Sequence, residues 1–255
     1  MNRLKGKLAL ITGASSGIGR AIAKKYAQEG VNLIITSRRE GKLAEVRGEL
    51  QRQYGIDVHI LVQDVSSAEN VKAGIDGLPE ELKNIDILVN NAGLAVGLDK
   101  IHESDMESFD RVIDTNVKGL LYVSRAVVPL MVERNKGHIV NIGSTAGHAA
   151  YAGGGVYCAS KAAVKTLTDG MRIDLIDTQI RVTNIQPGMV ETNFSVVRLG
   201  DQEKADNAYK GIEPLTGEDV AETVVYATNL PENMQIGELT LMPNHQADGR
   251  TLYKS

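Results

Sequence analysis

Short apolar runs rich in β-branched residues recur along this chain at 7–12, 32–36, 58–62, 85–89, 138–142, 181–185 and 238–242. Polar residues rarely alternate with apolar ones inside them, as expected of strands covered on both faces. Between the runs, apolar positions recur every three or four residues over 18–28, 41–54, 68–78, 106–134, 155–177 and 218–229, the spacing of amphipathic helices. Strand–helix alternation predicts parallel strands joined by right-handed crossovers. The expectation is one α/β domain over residues 1–255, a doubly wound, seven-stranded parallel sheet with helices on both faces. No repeat, linker or low-complexity tract interrupts it. From 193 to 217 the pattern is loose and polar, which predicts a loop or a short helical pair. A segment there, spanning about 190–217, would sit at the carboxyl ends of the strands, where open α/β sheets bind ligands, and reads as a substrate lid.

The first apolar run ends in Thr12-Gly13-Ala14-Ser15-Ser16-Gly17-Ile18-Gly19 and passes into the first helix. Glycines allow positive φ and close backbone approach, and a helix N-terminus favours phosphate. Between the first strand and first helix such a cluster marks the dinucleotide site of a Rossmann-type domain. The spacing is Gly-x-x-x-Gly-x-Gly, not the more general Gly-x-Gly-x-x-Gly. Gly13, Ser15, Ser16, Gly17, Ile18 and Gly19 are the expected contacts. An NAD site places an acidic residue at the end of the second strand to hold the ribose 2′-hydroxyl. Here the chain reads Thr36-Ser37-Arg38-Arg39, with no carboxylate before Glu40. A guanidinium grips a 2′-phosphate that an acid would repel. NADP(H) is therefore the expected coenzyme, with Arg38 the main contact and Ser37 and Arg39 as helpers. Asp64-Val65 and Asn90-Asn91-Ala92-Gly93 follow the third and fourth strands, at the edge where adenine and its ribose should lie.

Tyr157 and Lys161 stand four apart in a helical stretch and so share a face. A tyrosine of pKa about 10 exchanges protons poorly near neutrality. A fixed positive charge beside it favours the phenolate and moves that pKa toward working pH. Ser144 lies thirteen residues before Tyr157. Asn116 interrupts the apolar pattern Phe109, Val112, Ile113, Val117 and Leu120, where asparagine is a poor helix former.

Together these segments resemble the short-chain dehydrogenase/reductase family over nearly the whole chain: TGASSGIG at 12–19, Asp64-Val65, NNAG at 90–93, Asn116, Ser144, YCASK at 157–161 and PGMVET at 187–192. The resemblance implies a catalytic tetrad of Asn116, Ser144, Tyr157 and Lys161. Tyr157 would pass the proton to or from the substrate oxygen, and Ser144 would polarise the carbonyl. Lys161 would lower the tyrosine pKa and bind the nicotinamide ribose, and Asn116 would hold a water that links Lys161 to solvent. Hydride transfer builds negative charge on oxygen, and prepositioned donors lower that barrier. Pro187, Gly188, Val190 and Thr192 match the family segment that cradles the nicotinamide. Asn91, Ala92 and Gly93 complete the coenzyme set.

The C-terminal third is similar to the NADP-dependent 3-hydroxy acid dehydrogenase branch, which implies serine, allo-threonine or 3-hydroxypropionate-type substrates. The likeness rests on Val190–Arg198, on Leu215-Thr216 before Glu218-Asp219-Val220, and on Leu78-Pro79-Glu80 leading to the fourth strand. A carboxylate substrate needs a cation, and Arg198 in the lid segment is the candidate beside Ser144 and Tyr157. Alternatives are a broad carbonyl or keto-ester reductase on the same tetrad, or a nucleotide-sensing protein without turnover.

Composition narrows the partners. Basic and acidic residues number 28 and 32, a formal charge of −4, and no long basic run suggests nucleic acid. The single cysteine, Cys158, fits a reducing compartment and reads as a packing residue. His102 and His148 lie in loop-like stretches without paired ligands, so no metal is expected. His148 and Tyr151 could line the substrate cleft or lie at the surface. No run is long enough to span a membrane and none reads as a signal peptide, so a cytoplasmic enzyme is expected. Apolar surface on the 106–134 and 155–177 helices, with Gly119 and Gly170 permitting close approach, fits the homotetramer the resemblance implies, with a dimer as the alternative.

Overall fold

The structure, a computed structural model, describes residues 2–249 and 251–254. The chain runs β1 (Leu8–Thr12), α1 (Gly17–Gln28), β2 (Asn32–Ser37), α2 (Glu40–Tyr54), β3 (Val58–Val62), α3 (Ala68–Asp76), β4 (Ile87–Asn90), α4 (Met106–Ile113), α5 (Gly119–Glu133), β5 (Gly137–Ile142), α6 (Gly155–Asp174), β6 (Ile180–Pro187), α7 (Phe194–Leu199), α8 (Gln202–Tyr209), α9 (Gly217–Thr228) and β7 (Glu238–Leu241). The seven strands are parallel in the order β3-β2-β1-β4-β5-β6-β7. The order reverses between β1 and β4, and this switch point opens a crevice at the carboxyl edge of the sheet.

Each face of the sheet has its own core. Ile11, Leu33 and Val140 pack with Ile22, Tyr26, Val220 and Val224 on one side. Leu10, Ile34, Leu88 and Val182 pack with Val123, Val127 and Met131 on the other. Successive strand residues point to opposite faces, so neighbours such as Leu10 and Ile11 are both fully buried. That is why the apolar runs lack alternation. Only the edge strand β7 alternates exposed and half-buried positions. Local signals set the helix ends: Thr216 and Asp219 form a reciprocal capping box at α9, and Gly55 closes α2 in the left-handed region at φ 66°.

One expected element differs. The helix expected over 106–134 is broken by a π-helical segment, Asp114–Lys118, between α4 and α5. Asn116 sits in that segment, buried, with hydrogen-bond partners outside the helix. The polar residue that looked out of place in an α-helix lies where the helix widens, as such bulges do at functional sites. The loose stretch after β6 forms the short helical pair α7 and α8, and a bridge from Val190 to Leu215 closes its base.

Candidate active site

The coenzyme end is built by close backbone contact. Gly13 adopts φ +69°, and a Cβ on Gly19 would stand 2.4 Å from Asn91 Nδ2 and 2.5 Å from Gly13 O. Only glycine fits this approach of α1 to the turn. Asn91 Nδ2 donates to Thr12 O at 2.8 Å, and the Thr12 hydroxyl accepts from Asn91 N at 3.0 Å and Ala92 N at 2.9 Å. The ends of β1 and β4 are thus tied at the switch point. Ser15 is buried, Ser16 precedes α1, and Ile18 packs against the core. Thr192 covers Gly17: a Cβ added there would lie 3.5 Å from Thr192 Cβ, an ordinary contact.

Two arginines behave differently at the end of β2. Arg39 Nη2 donates to Ser15 Oγ and Ser16 Oγ, both at 2.9 Å, while its backbone N–H donates to Ser37 Oγ at 3.2 Å. Arg38 projects into solvent with Nη1 3.8 Å from Asp64 Oδ2. The guanidinium that meets the glycine turn is therefore that of Arg39. Asp64 is further held by Ser66, and Val65 is buried against Gly119.

The proposed tetrad comes together at the carboxyl ends of β4 and β5. Asn116 Oδ1 accepts from Leu94 N at 2.8 Å, and its Nδ2 donates to Leu94 O at 2.8 Å and Ser160 Oγ at 3.0 Å. A Cβ on Gly93 would lie 3.3 Å from Asn116 Oδ1 and 3.6 Å from Lys161 Nζ, which places the amide and the ammonium together beside Gly93. Lys161 is 7 % exposed and donates to Ile142 O at 2.8 Å. Its Nζ is 5.9 Å from the Tyr157 ring centroid. Ser144 caps the short turn Thr145–Gly147 by accepting from Ala146 N, and donates to Pro187 O at 3.4 Å.

The electrostatics reverse one expectation. Burial pushes the Tyr157 pKa up, with the Ser144 hydroxyl pulling the other way, and Lys161 is not among the groups that govern it. Lys161 is itself lowered by burial to about 8. Removal from water is the largest influence on both groups, and the ammonium is directed at the Ile142 carbonyl.

The segment that carries α7 and α8 brings Arg198 into the same place. Its guanidinium lies over the Tyr157 ring at 5.5 Å and over the Tyr151 ring at 5.4 Å. Nη1 donates to Tyr151 Oη at 2.8 Å and Nε to Gly97 O at 3.1 Å. Phe194, opening α7, packs on Tyr157 with ring centroids 5.6 Å apart. At the base of this segment Gly188 N donates to Leu241 O, Met189 N to Gln246 Oε1 at 2.8 Å, and Tyr209 Oη to Val190 O at 3.0 Å. A cleft of about 360 Å³ between α1 and residues 191–193 lies outside this cluster and contains none of the four tetrad residues.

The family model for short chain dehydrogenase matches residues 7–203. This chain belongs to that family. As a short-chain dehydrogenase it is 44 % identical over 256 residues to the NADP-dependent 3-hydroxy acid dehydrogenase of Schizosaccharomyces pombe, covering 100 % of this chain and 99 % of that one. It is 45 % identical to sulfoacetaldehyde reductase 2 of Chromohalobacter salexigens, covering 94 % and 95 %. Among solved structures it matches the closed form of a serine dehydrogenase complexed with NADP+, with TM-score 0.90 and 45 % identity over 94 % of this chain and 96 % of that one.

Several site residues of this short-chain dehydrogenase were not evident from the sequence. Thr12 and Ser160 act through hydroxyl bonds to distant segments, which no local pattern reveals. Tyr151, undecided between cleft and surface, lies beside Arg198. The run Gly153-Gly154-Gly155 could have located it: Gly153 has φ +71° and leaves room for Leu98 O, and Gly154 leaves room for the Tyr151 ring. Gln246 arrives from the C-terminal tail. His148 is exposed and meets the Gln186 side chain, while Cys158 is buried. Among the described residues no cluster of three His, Cys, Asp or Glu could hold a metal ion, and no helix is long and apolar enough to cross a membrane.

Proposed function

We propose that this chain interconverts a small 3-hydroxy acid and its carbonyl form, using NADP(H), within a single domain whose substrate lid spans about 190–217. The glycine turn fits a dinucleotide because glycines at 13 and 19 let the turn pack closely against α1 and Asn91 at the helix N-terminus, and Arg39 supplies positive charge where β2 carries no acid. Gly13, Ser15, Ser16, Gly17, Ile18 and Gly19 would hold the pyrophosphate. Arg39 and Ser37, with Arg38, would hold the 2′-phosphate. Asp64, Val65, Asn91, Ala92 and Gly93 would hold the adenosine, and Pro187, Gly188, Val190 and Thr192 the nicotinamide end. When bound, the nicotinamide supplies or accepts the hydride.

The chain's own residues manage the proton and the oxygen. Tyr157 gives its proton to the substrate oxygen on reduction and receives it on oxidation. Ser144 donates to that oxygen. Lys161 binds the ribose and relays charge, and Asn116 fixes the Leu94 backbone over the relay. Arg198 holds the substrate carboxylate.

The observation that carries the reading is the Arg198 guanidinium stacked 5.5 Å over the Tyr157 ring. A carboxylate bound there would place its β-carbon oxygen near the phenol. NADPH absorbance followed with malonic semialdehyde and with a neutral ketone tests it. Arg198→Ala should raise KM for the acid about 10- to 100-fold, the worth of a charged hydrogen bond, with little change for the ketone. Equal losses on both would remove Arg198 from substrate binding. No turnover with any carbonyl would sink the enzyme reading.

A sulfonate aldehyde is the second reading, favoured by the Chromohalobacter relative and served by the same guanidinium. We also propose a cytoplasmic homotetramer. Leu121 on α5, Ile173 on α6 and Ile176 just beyond it are exposed by 37 %, 71 % and 81 %, which supports pairing through these helices. Light scattering at the column peak would give the assembly, and a monomer would refute it.

A further inference from the structure

The chain beyond β7 returns to the active site. β6 and β7 end side by side, with Pro187 paired to Leu241, and Gly188 N donates to Leu241 O at 2.7 Å. The tail then folds back in a turn closed by Gln246 N donating to Pro243 O at 3.0 Å. Past this turn it forms a small hairpin in which Gln246 pairs with Leu252. Ala247 N donates to Thr251 O and Tyr253 N to His245 O, both at 2.9 Å, and Asp248 Oδ1 accepts from Thr251 N at 2.6 Å. The His245 and Tyr253 rings meet edge to face at 5.6 Å. The hairpin abuts the turn that Ser144 caps: a Cβ on Gly249 would lie 3.0 Å from Thr145 O.

Gln246, at the base of the hairpin, is 7 % exposed. Its Oε1 accepts from Met189 N at 2.8 Å, and its Nε2 donates to Asp248 O at 2.7 Å. A backbone N–H can only donate and a carbonyl can only accept, so the amide has one orientation and a carboxylate could not replace it. A Cβ on Gly188 would stand 2.4 Å from Gln246 Oε1, so the absence of a side chain at 188 is what admits the amide against the backbone.

The backbone of 188–191 is anchored at every step. Besides the bonds of Gly188 N and Met189 N, Met189 O accepts from Leu215 N at 2.9 Å, and Glu191 N donates to Leu215 O at 2.8 Å. Val190 O accepts from Tyr209 Oη at 3.0 Å. Two of these anchors are side chains, those of Tyr209 and Gln246. Tyr209 ends α8, in the segment that carries Arg198. Gln246 belongs to the tail and, through its hairpin, also reaches the turn that Ser144 caps. Ser144 Oγ in turn donates to Pro187 O. The tail thus joins the serine turn and the 187–189 segment from behind.

We propose that Gln246 is a positioning residue for hydride transfer, an inference that rests on the assignment of Pro187, Gly188, Val190 and Thr192 to the nicotinamide end. It fixes the Gly188–Met189 peptide in one frame with Ser144, so that the nicotinamide and the donor to the substrate oxygen keep their relative places. Gln246→Met keeps the side-chain volume and removes both hydrogen bonds of the amide. With malonic semialdehyde and NADPH, its kcat should fall about 10- to 100-fold while KM for the aldehyde changes little, because a misplacement of about 1 Å at the reacting atoms costs that much. Binding separates positioning from general damage. Adenosine 2′,5′-bisphosphate carries the 2′-phosphate end of NADP+ and no nicotinamide, so its Kd should stay at the wild-type value. The Kd of NADP+ should rise about 3- to 10-fold, the worth of one hydrogen bond. Gly188→Ala drives a Cβ into Gln246 Oε1 from the opposite side and should give the same pattern with the tail sequence intact. Wild-type kcat in either variant, or equal weakening of the two ligands, would overturn the inference. A wild-type protein that binds neither ligand would overturn the coenzyme assignment itself, and this inference with it.

Discussion

Replacing Lys161 by methionine should make the protein more stable below pH 8 and less stable above pH 10. Burial lowers the Lys161 pKa from 10.5 to about 8. A base whose folded pKa is depressed binds fewer protons folded than unfolded between those two values. Its penalty is therefore full below about pH 8, declines as pH rises, and vanishes above about 10.5. At 1.36 kcal/mol per unit, a shift of roughly 2.5 units costs about 3 kcal/mol at neutral pH. Methionine removes that cost but leaves Ile142 O without its donor at 2.8 Å, a loss of about 1–2 kcal/mol. The variant should gain about 1–2 kcal/mol at pH 7 and lose a similar amount at pH 10.5. Urea unfolding at steps from pH 7 to 10.5, without added coenzyme, measures the difference. It should fall by about 1.4 kcal/mol per pH unit above pH 8. A difference that does not vary with pH would refute the claim that burial of this ammonium opposes folding. The same variant should lose turnover.

Three further substitutions probe the site. Gly19→Ala places a Cβ 2.4 Å from Asn91 Nδ2 and 2.5 Å from Gly13 O, so it should destabilise by about 1–3 kcal/mol and weaken NADPH binding; wild-type stability in a denaturation series would contradict the close approach. Asn116→Ala strips the Leu94 backbone of both its partners and should cost about 1–3 kcal/mol with a large drop in kcat, whereas unaltered turnover would show that this clamp is dispensable. Arg39→Ala should raise KM for NADPH about 10- to 100-fold and leave NADH little changed, and a parallel change in both would place the 2′-phosphate elsewhere.

Much of the architecture could be read from pattern alone, because both faces of the sheet are buried and the strands therefore declare themselves as unbroken apolar runs. The glycine turn was equally legible, since few residue types satisfy φ +69° at Gly13 and the contact at Gly19. What the pattern could not carry was side-chain direction. Arg38 and Arg39 are adjacent and chemically equal, yet only Arg39 reaches Ser15 and Ser16, because consecutive residues leave a strand end on different sides. The coupling of Lys161 to Tyr157 followed from helical spacing, but spacing does not reveal the Ile142 carbonyl that the ammonium meets instead. Tyr151 and Gln246 join the site from segments 47 and 52 residues away from Arg198 and Phe194, respectively, beyond the reach of any local periodicity. The helix break at 114–118 left its only trace in Asn116.

That break makes chain length itself a carrier of information. Val112 and Leu120, both buried, are eight residues apart, about 800° of regular α-helix, which leaves them about 80° out of phase. With one residue fewer the separation is about 700°, and the two fall within about 20° of the same line. The π-helical segment absorbs the surplus residue and so keeps both residues buried, with α4 packed on α6 and α5 on α3 and β4. Deleting Val117 would yield an uninterrupted helix whose packing stripes still agree, so the chain could fold, while Asn116 would lose the widened turn that aims it at Leu94. A single-residue gap at 114–118 in any related chain would thus be nearly silent for folding and decisive for chemistry.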